Sequence, residues 1–422
     1  MERKRSKYNY VYARGENEYV IYNTYSKALV VLEEGEYAQY RTLCFTDPEV
    51  EQTLYENGIL IDASFDETAF LRYCHYSTKF AHETLHLTIA PTMDCNFGCP
   101  YCYENRRGGK MPQNVQAAVV DYIRKMVEEG TRCVELTWYG GEPLLCVDII
   151  ASMSRRILKL AEETGCEVKL YMVTNGYLLT PEIVELLDEI GILRVQITLD
   201  GLKEHHDARR HLRSGKGTFD KIVENLSLFE DVPIRVDIRM NVDNENCGDY
   251  QALNDLIEGL GNPNITVYPS PVEDINKDTV NEVSDFMTRG EFESFADQIW
   301  KTSKTSRAAS TVLDDRYCFC NAETEYCYVI DEQGYCYKCW DQVGRVEKAC
   351  FNILTPEKKN YTNITDFISW DPFSDEKCGG CIYLPICFGG CKFHRMNKDT
   401  TDCGFNDQSI RNYIEGTFFE EE

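Results

Sequence analysis

The sequence predicts an α/β protein: a partial (β/α)6 barrel, preceded by a small N-terminal α+β module and followed by a loop-rich, cysteine-rich C-terminal domain. Three observations lead there. Past residue 84, strand-like and helix-like segments alternate through six units. Four of the strand-closing segments are polar or glycine-rich, and in a parallel barrel they fall on one rim. After residue 317 the cysteines crowd together. The expected domains are 1–80, 81–312 and 313–422.

Taken in order, Tyr10–Ala13 and the run Tyr19–Leu32 read as short antiparallel strands joined by turns. Asp47 followed by Pro48 opens a helix reaching Asn57, and Gly58–Ile61 reads as a strand. Leu85–Ala90 begins the barrel. A helix over Pro112–Glu129 carries Val115, Val119, Ile123 and Met126 at helical spacing. Strands at Cys133–Tyr139, Glu167–Val173 and Arg194–Leu199 alternate with helices near 147–163 and 181–190. Thr218 opens a helix whose apolar side is Phe219, Ile222, Val223, Leu226 and Phe229. Ile234–Met240 and Ile265–Tyr268 complete six strands, and parallel neighbours of this kind need helical crossovers. Residues 281–312 read as a polar helical connector with Phe295 and Trp300 on one side, and 418–422 as a frayed tail.

A chain of 422 residues has room for two or three domains. Its basic N-terminus leads into no apolar stretch, so it does not read as a signal peptide. No apolar run approaches the roughly 18 residues that span a bilayer. Twenty closely spaced cysteines in such a chain point to metal ligation rather than disulfides, and to a reducing, cytoplasmic setting. A net charge of −26 argues against nucleic acid, which needs a concentrated basic surface.

The chemistry centres on Cys95-x3-Cys99-x2-Cys102, in the loop after the first barrel strand. Three thiolates at this spacing can hold three corners of a four-iron cluster and leave the fourth iron open. A zinc knuckle is the competing reading of the triplet alone. The loop is followed by Gly140-Gly-Glu-Pro143, Thr174-Asn-Gly176, Gln196-Ile-Thr-Leu-Asp-Gly201, His206-Asp-Ala-Arg-Arg210 and Gly217-Thr-Phe219. A second array reads Cys320-x13-Gly334-x4-Cys339, then Cys378-x2-Cys381-x5-Cys387-x3-Cys391, then Cys403. In this order and spacing, residues from about 85 to 403 resemble a radical S-adenosylmethionine (SAM) enzyme with a C-terminal SPASM domain, of the type related to anaerobic sulfatase maturases.

The resemblance implies SAM and three [4Fe–4S] clusters as cofactors. Cys95, Cys99 and Cys102 would ligate the SAM-binding cluster. Gly140, Gly141 and Glu142 would receive the methionine amino group, with the carboxylate pairing the cation. Asn175 and Asp200 would line the same site, Arg210 would pair with the methionine carboxylate, and Tyr101 would lie near the adenine. Cys378, Cys381, Cys387 and Cys403 would hold the second auxiliary cluster. Cys320, Cys339 and Cys391 would hold the first, with Cys327 as fourth ligand and Cys318 and Cys336 as rivals. The other reading of this block is a zinc-binding knuckle. Sulfatase maturases place an acidic residue directly after the second array cysteine; here Trp340 follows Cys339 and the acid is displaced to Asp341, the candidate base.

These residues point to a maturase that oxidatively cross-links a ribosomally made precursor peptide, with formylglycine formation on sulfatases as the alternative. A non-catalytic iron–sulfur or zinc scaffold is the reading from another class. The expected partners are a precursor peptide and a low-potential donor such as flavodoxin or ferredoxin, with no nucleic acid and no membrane. The leader-length module at 1–80 faintly resembles winged-helix peptide-recognition elements, which can add a peptide as a strand at a sheet edge; an N-terminal cap on the barrel is the other reading. Cys44, Cys74, Cys133, Cys146, Cys166 and Cys247 read as small core residues, and His205-His206 as a solvated helix start.

Overall fold

The computed structural model describes residues 2–104, 106–272, 285–302, 317–397, 403 and 406–419. The chain forms two compact units: Met1–Phe80 with Thr311–Thr324 and Ile368–Glu422, and Ala81–Ser310 with Glu325–Phe367. Residues 313–422 thus contribute to both.

In the first unit, β1 (Arg3–Arg5) pairs antiparallel with β5 (Leu60–Asp62). β2 (Asn9–Arg14), β3 (Glu18–Asn23) and β4 (Leu29–Glu33) form an antiparallel sheet in that order. Helix α1 (Glu34–Thr42) follows β4 directly. Helix α2 (Pro48–Glu56) starts where Asp47 and Pro48 place it, with the Asp47 side chain accepting from Glu49 N. Helix α3 (Glu67–Lys79) is capped by Asp66, which accepts from Thr68 N and Ala69 N. Neither α1 nor α3 stands out in the sequence. The stripe that α3 buries is Leu71, His75 and Lys79, and two of those three are polar.

A helix the sequence did not announce precedes the tail expected at 418–422. Residues Asp407–Phe418 form a helix whose Ile410 and Ile414 pack against Tyr10, Tyr12, Val20 and Tyr22 of the β2–β3 sheet. The last three residues lie outside the described residues.

In the second unit six parallel strands run in sequence order: β6 (Thr84–Ile89), β7 (Cys133–Trp138), β8 (Glu167–Thr174), β9 (Ile192–Thr198), β10 (Arg235–Val242) and β11 (Ile265–Pro271). Their crossovers carry α4 (Gln113–Glu128), α5 (Val147–Thr164), α6 (Pro181–Glu189), α7 (Lys203–Arg209), α8 (Phe219–Leu226) and α9 (Tyr250–Glu258). The register lines up Ile89, Trp138, Met172, Val195, Val236 and Ile265 in one row across the sheet. All six are buried, so a one-residue slip in any strand would turn its apolar set away from the core.

The barrel is open, and past β6 the sheet continues in a way the sequence did not announce. β12 (Cys327–Ile330) pairs parallel with β6, and β13 (Tyr335–Tyr337) and β14 (Phe351–Asn352) follow antiparallel to make nine strands. These strands are two to four residues long, too short for an alternation to be read. The β12–β13 turn is fixed by Asp331, whose Oδ1 accepts from Gln333 N (3.0 Å) and Tyr335 N (2.9 Å). Arg107, in the loop between β6 and α4, clasps this turn. Its Nη2 donates to Asp331 Oδ2 (2.5 Å) and its Nε to Glu332 Oε1 (2.6 Å). Tyr337 Oη adds a bond to Asp331 Oδ2 (2.9 Å).

Part of the expected connector is a helix, Arg289–Thr302, with Phe295 against Tyr250; the rest of 281–312 and the Trp300 side chain lie outside the described residues. Every cysteine is free. Cys146 and Cys166 are buried, whereas Cys44 is exposed and Cys74, Cys133 and Cys247 are half-buried, so those four are not core thiols. No helix among the described residues is long and apolar enough to cross a membrane.

The Asp331 and Glu332 side chains retain 0% and 4% of their exposure beside Arg107. Removing the cation leaves two buried carboxylates uncompensated, an arrangement that costs about 3–5 kcal/mol. Arg107→Ala should therefore lower the urea midpoint of the apo-protein sharply. Arg107→Lys should recover part of the loss, because a point charge remains without the fork.

Candidate cluster and cofactor site

The cysteine loop leaves β6 and is shaped by its own hydrogen bonds. Thr92 Oγ1 accepts from Asp94 N (3.0 Å) and donates to Gly109 O (2.6 Å), closing the loop's two ends. Asp94 Oδ1 accepts from Cys95 N (2.9 Å). Phe97, fully buried, bridges antiparallel to Leu212, with Gly98 N donating to His211 O (2.8 Å) and Arg213 N to Asn96 O (3.0 Å). A Cβ on Gly98 would lie 2.9 Å from the His211 ring, so a larger residue here would push that side chain aside. Burial pushes all three thiols up, Cys95 to about 12. Arg106 opposes that shift at Cys99 and Cys102, and its Nη2 donates to Cys99 O (2.9 Å).

The Gly140-Gly-Glu segment packs on this loop. Gly141 N donates to Thr92 O (3.2 Å) and Glu142 N to Asp94 O (2.9 Å). A Cβ on Gly140 or Gly141 would sit 2.3 Å from those same two carbonyl oxygens. The glycines therefore serve a backbone-to-backbone contact. The Glu142 side chain is fully buried and takes three donors: Thr174 Oγ1 (2.6 Å), Leu144 N (3.0 Å) and Asn175 N (2.7 Å). Burial pushes its carboxyl up, opposed by these donors. Two of these donors fall on Oε1 and one on Oε2, so the carboxylate is held by the loops on either side of it. Asn175 does reach the cysteine loop, its Nδ2 donating to Asn96 Oδ1 (2.7 Å).

Tyr101, Asp200 and Arg210, distant in sequence, meet in one partly buried chain. The Tyr101 hydroxyl donates to Asp200 Oδ2 and accepts from Arg210 Nη1 (2.8 Å). Asn241 N donates to Asp200 Oδ1 (3.2 Å). Burial alone would lower the Arg210 guanidinium, but Tyr101, Cys99 and Asp200 hold it well above its ordinary range. Tyr101 is thereby engaged through its hydroxyl by two charged groups.

His206 is fully buried, not solvated. Burial pushes it down to about 3, so it is neutral. Its Nδ1 accepts from Asp200 N (3.2 Å), which leaves Nε2–H to donate to Thr218 Oγ1 (3.0 Å). Asp207 accepts from Thr218 N (2.7 Å) and Phe219 N (2.9 Å). These two residues hold the 217–219 turn against the Asp200 loop, which accounts for the paired motifs.

Sequence reasoning missed Tyr103 and Glu104, although they directly follow Cys102. Tyr103 and Tyr139 are joined through their hydroxyls, and Glu104 bonds Tyr139. Burial pushes Glu104 up to about 7. The Trp340 ring lies 4.5 Å from that of Tyr139, and the Asp341 charge reaches Tyr103. Cys339 Sγ donates to Asp341 Oδ2 (3.5 Å). The sheet extension through β12 and β13 thus brings Asp341 to the rim that carries the cysteine loop.

Of the auxiliary residues, Cys320 and Cys391 belong to the first unit, and Cys327 and Cys339 to the second. Cys327 opens β12, whereas Cys336 lies buried in β13 and Cys318 buried beside His75. The 378–391 segment is tightly formed. Asp375 Oδ1 accepts from Cys378 N (2.9 Å), and Cys381 N donates to Cys378 O (3.0 Å). A single helical turn, Leu384–Cys387, ends in Phe388, Gly389 and Gly390 at φ 45°, 86° and 76°. Three left-handed residues in succession reverse the chain between Cys387 and Cys391. Cys403 is exposed.

Among the described residues no three His, Cys, Asp or Glu side chains already converge as a metal site. The residues nonetheless fit the implied cofactors on two observations. The donor set is all thiol, which suits iron–sulfur ligation. Beside it, Arg210 Nε and Asn96 Nδ2 are buried with no partner among the described residues, two donors of the kind a carboxylate-bearing ligand would satisfy. Tyr101→Phe takes a donor from Asp200 and an acceptor from Arg210. Its expected cost is about 1–3 kcal/mol of apo-protein stability, read by urea unfolding, together with a raised Kd for SAM in equilibrium dialysis.

Residues 89–257 match the Radical SAM superfamily. The cysteine-type anaerobic sulfatase-maturating enzyme of Clostridium perfringens is 23% identical over 365 residues, covering 79% of this chain and 96% of that enzyme. The structure of native anSMEcpe with bound AdoMet and Kp18Cys peptide has a TM-score of 0.62 at 20% identity, covering 79% of this chain and 97% of that one. Streptococcus suis SuiB, solved bound to precursor peptide SuiA, has a TM-score of 0.53 at 16% identity and covers 97% of this chain and 100% of its own. Three further curated relatives, 27–29% identical, align over 144–187 residues, and the chain spans only 34–47% of their length. The chain therefore carries a radical SAM domain over residues 89–257, takes SAM and a [4Fe–4S] cluster as cofactors, and is related to the anaerobic sulfatase-maturating enzymes.

Proposed function

We propose that this protein is a radical SAM maturase that oxidatively cross-links a precursor peptide, forming a thioether or a similar bond. The observation that carries this reading is the position of Asp341, brought by the β12–β13 hairpin to the cysteine-loop rim, where the Trp340 ring meets that of Tyr139. When bound, SAM and its cluster supply the 5′-deoxyadenosyl radical that abstracts a substrate hydrogen. Closing a bond from a substrate thiol to the resulting carbon centre releases one proton and one electron. Asp341 is the acceptor for the proton. The auxiliary cysteines Cys320, Cys327, Cys339, Cys378, Cys381, Cys387, Cys391 and Cys403 are the candidates to hold the clusters that take the electron. Arg210 Nε and Asn96 Nδ2 orient the SAM carboxylate, and Asn175 holds Asn96 in place.

The N-terminal module supports a peptide substrate. β4 ends its sheet with no further strand beyond it among the described residues, and Val31 on it is 41% exposed. An extended leader segment would add there as a fourth strand. The SuiB likeness includes this module, since it covers 97% of the chain. A flavodoxin or ferredoxin would supply the priming electron. The second reading is formylglycine formation on a sulfatase, favoured by the sequence relationship to the maturating enzymes.

The deciding experiment is anaerobic reconstitution, iron counting, and turnover with dithionite and SAM. About twelve irons per chain, for three four-iron clusters, should accompany 5′-deoxyadenosine release that Cys95→Ala abolishes. Tightly held zinc with no 5′-deoxyadenosine would leave a metal-stapled scaffold instead. With a candidate precursor, a product two mass units lighter that resists thiol alkylation supports the cross-link. An aldehyde trapped on a sulfatase peptide supports the second reading. Asp341→Asn should keep SAM cleavage while lowering cross-linked product about 100-fold.

A further inference from the structure

The segment 375–395 lies within the first unit and contains a charged contact that the proposed chemistry does not use. Arg395, on the helix Lys392–Asn397, points its Nη2 at Cys378 Sγ at 3.1 Å. The rest of the guanidinium is fixed from three sides. Its Nε donates to Gly389 O, in the left-handed turn between Cys387 and Cys391. The plane lies 4.7 Å from the Trp370 ring centroid. Asp375 Oδ2 approaches Nη1 at 3.7 Å, and the Glu323 carboxylate lies within electrostatic range. The Arg395 side chain keeps 12% of its exposure, so water screens the contact little.

The surroundings suit a cluster at this segment. Cys378 and Cys381 share one turn, Cys387 ends the helical turn that follows, and a second sulfur also receives a donor, with Tyr383 N 3.4 Å from Cys381 Sγ. Hydrogen bonds to ligand sulfur are among the levers that set iron–sulfur potentials. A charged donor stabilises negative charge on sulfur more than a neutral one does, and reduction adds negative charge to the cluster. Its effect therefore has a fixed sign: it favours the reduced form.

We propose that Arg395 raises the reduction potential of the iron–sulfur cluster ligated by Cys378, acting as a tuning residue rather than a ligand. The inference rests on the reading of Cys378, Cys381, Cys387 and Cys403 as cluster ligands. It gives the cluster nearest Arg395 a more oxidising character than its thiolates alone would confer, which suits an electron acceptor.

The test uses the full-length chain with Cys95, Cys99 and Cys102 replaced by alanine, so that only auxiliary clusters contribute. After anaerobic reconstitution, iron is counted and the clusters are titrated potentiometrically with detection by electron paramagnetic resonance. Cys378→Ser identifies the component that belongs to this site. Arg395→Gln should retain its iron and shift that component alone to lower potential. The expected shift is about a tenfold change in the oxidised-to-reduced ratio at the parent's midpoint, or about 59 mV for one electron. Arg395→Lys, which keeps the charge but not the fork, should shift less. Full iron with an unmoved midpoint in Arg395→Gln overturns the proposal, as does loss of iron in both variants, which would make Arg395 an assembly residue. A parent that binds zinc or no iron at all would instead refute the cluster reading beneath it.

Discussion

The buried carboxylate of Glu142 is the constraint on which the rest of the site depends. Three donors from two loops converge on it, at 2.6, 2.7 and 3.0 Å, and it has no exposure to water. A carboxylate so placed is stable only while every donor stays in position, because an unsatisfied buried acceptor is costly. It therefore locks the loop after β7 to the loop after β8. The two preceding glycines press the same loop onto the Thr92–Asp94 backbone, where the cysteine segment begins. Three strand ends are thereby held in one arrangement, and Asn175 carries it on to Asn96 inside the cysteine loop.

Much of this was legible in the residues. The alternation of apolar strands and amphipathic helices located the six parallel strands to within a few residues, because each strand is buried and each crossover helix must show an apolar face. The four rim loops were legible for the same reason: Cys95–Cys102, Gly140–Pro143, Thr174–Gly176 and Asp200–Gly201 interrupt that alternation with polar or flexible residues. Tyr101, Asp200 and Arg210 were each singled out, but their union through one hydroxyl depends on distances that no spacing encodes. The hydrogen bonds of Glu142 were not legible either, because no residue spacing shows which amides a buried carboxylate will meet.

What escaped notice has physical causes. Helix α3 buries His75 and Lys79 along with Leu71, so its inward face carries little apolar contrast. β12, β13 and β14 are too brief for periodicity, and β12 extends a sheet begun by β6, with Cys327 pairing with His86 across a long sequence gap. The C-terminal helix shows only two buried residues, Ile410 and Ile414, and gains its place from tyrosines near the other end of the chain. Pairings of this kind depend on the complete fold, whereas sequence patterns report local preference.

That last pairing bears on how the protein is made. Tyr10 donates to Asp407 O across 397 residues, and the apolar cluster beside it joins Tyr10, Tyr12, Val20 and Tyr22 to Ile410 and Ile414. During vectorial synthesis the strands emerge first and wait, one face wet, until the helix that covers them leaves the ribosome. Closing so long a loop is slow relative to local folding. The parallel strands of the second unit pair with near neighbours in the chain and can consolidate earlier. The thiols at Cys378, Cys381 and Cys387, which precede that helix in the chain, therefore emerge while the first unit is still open.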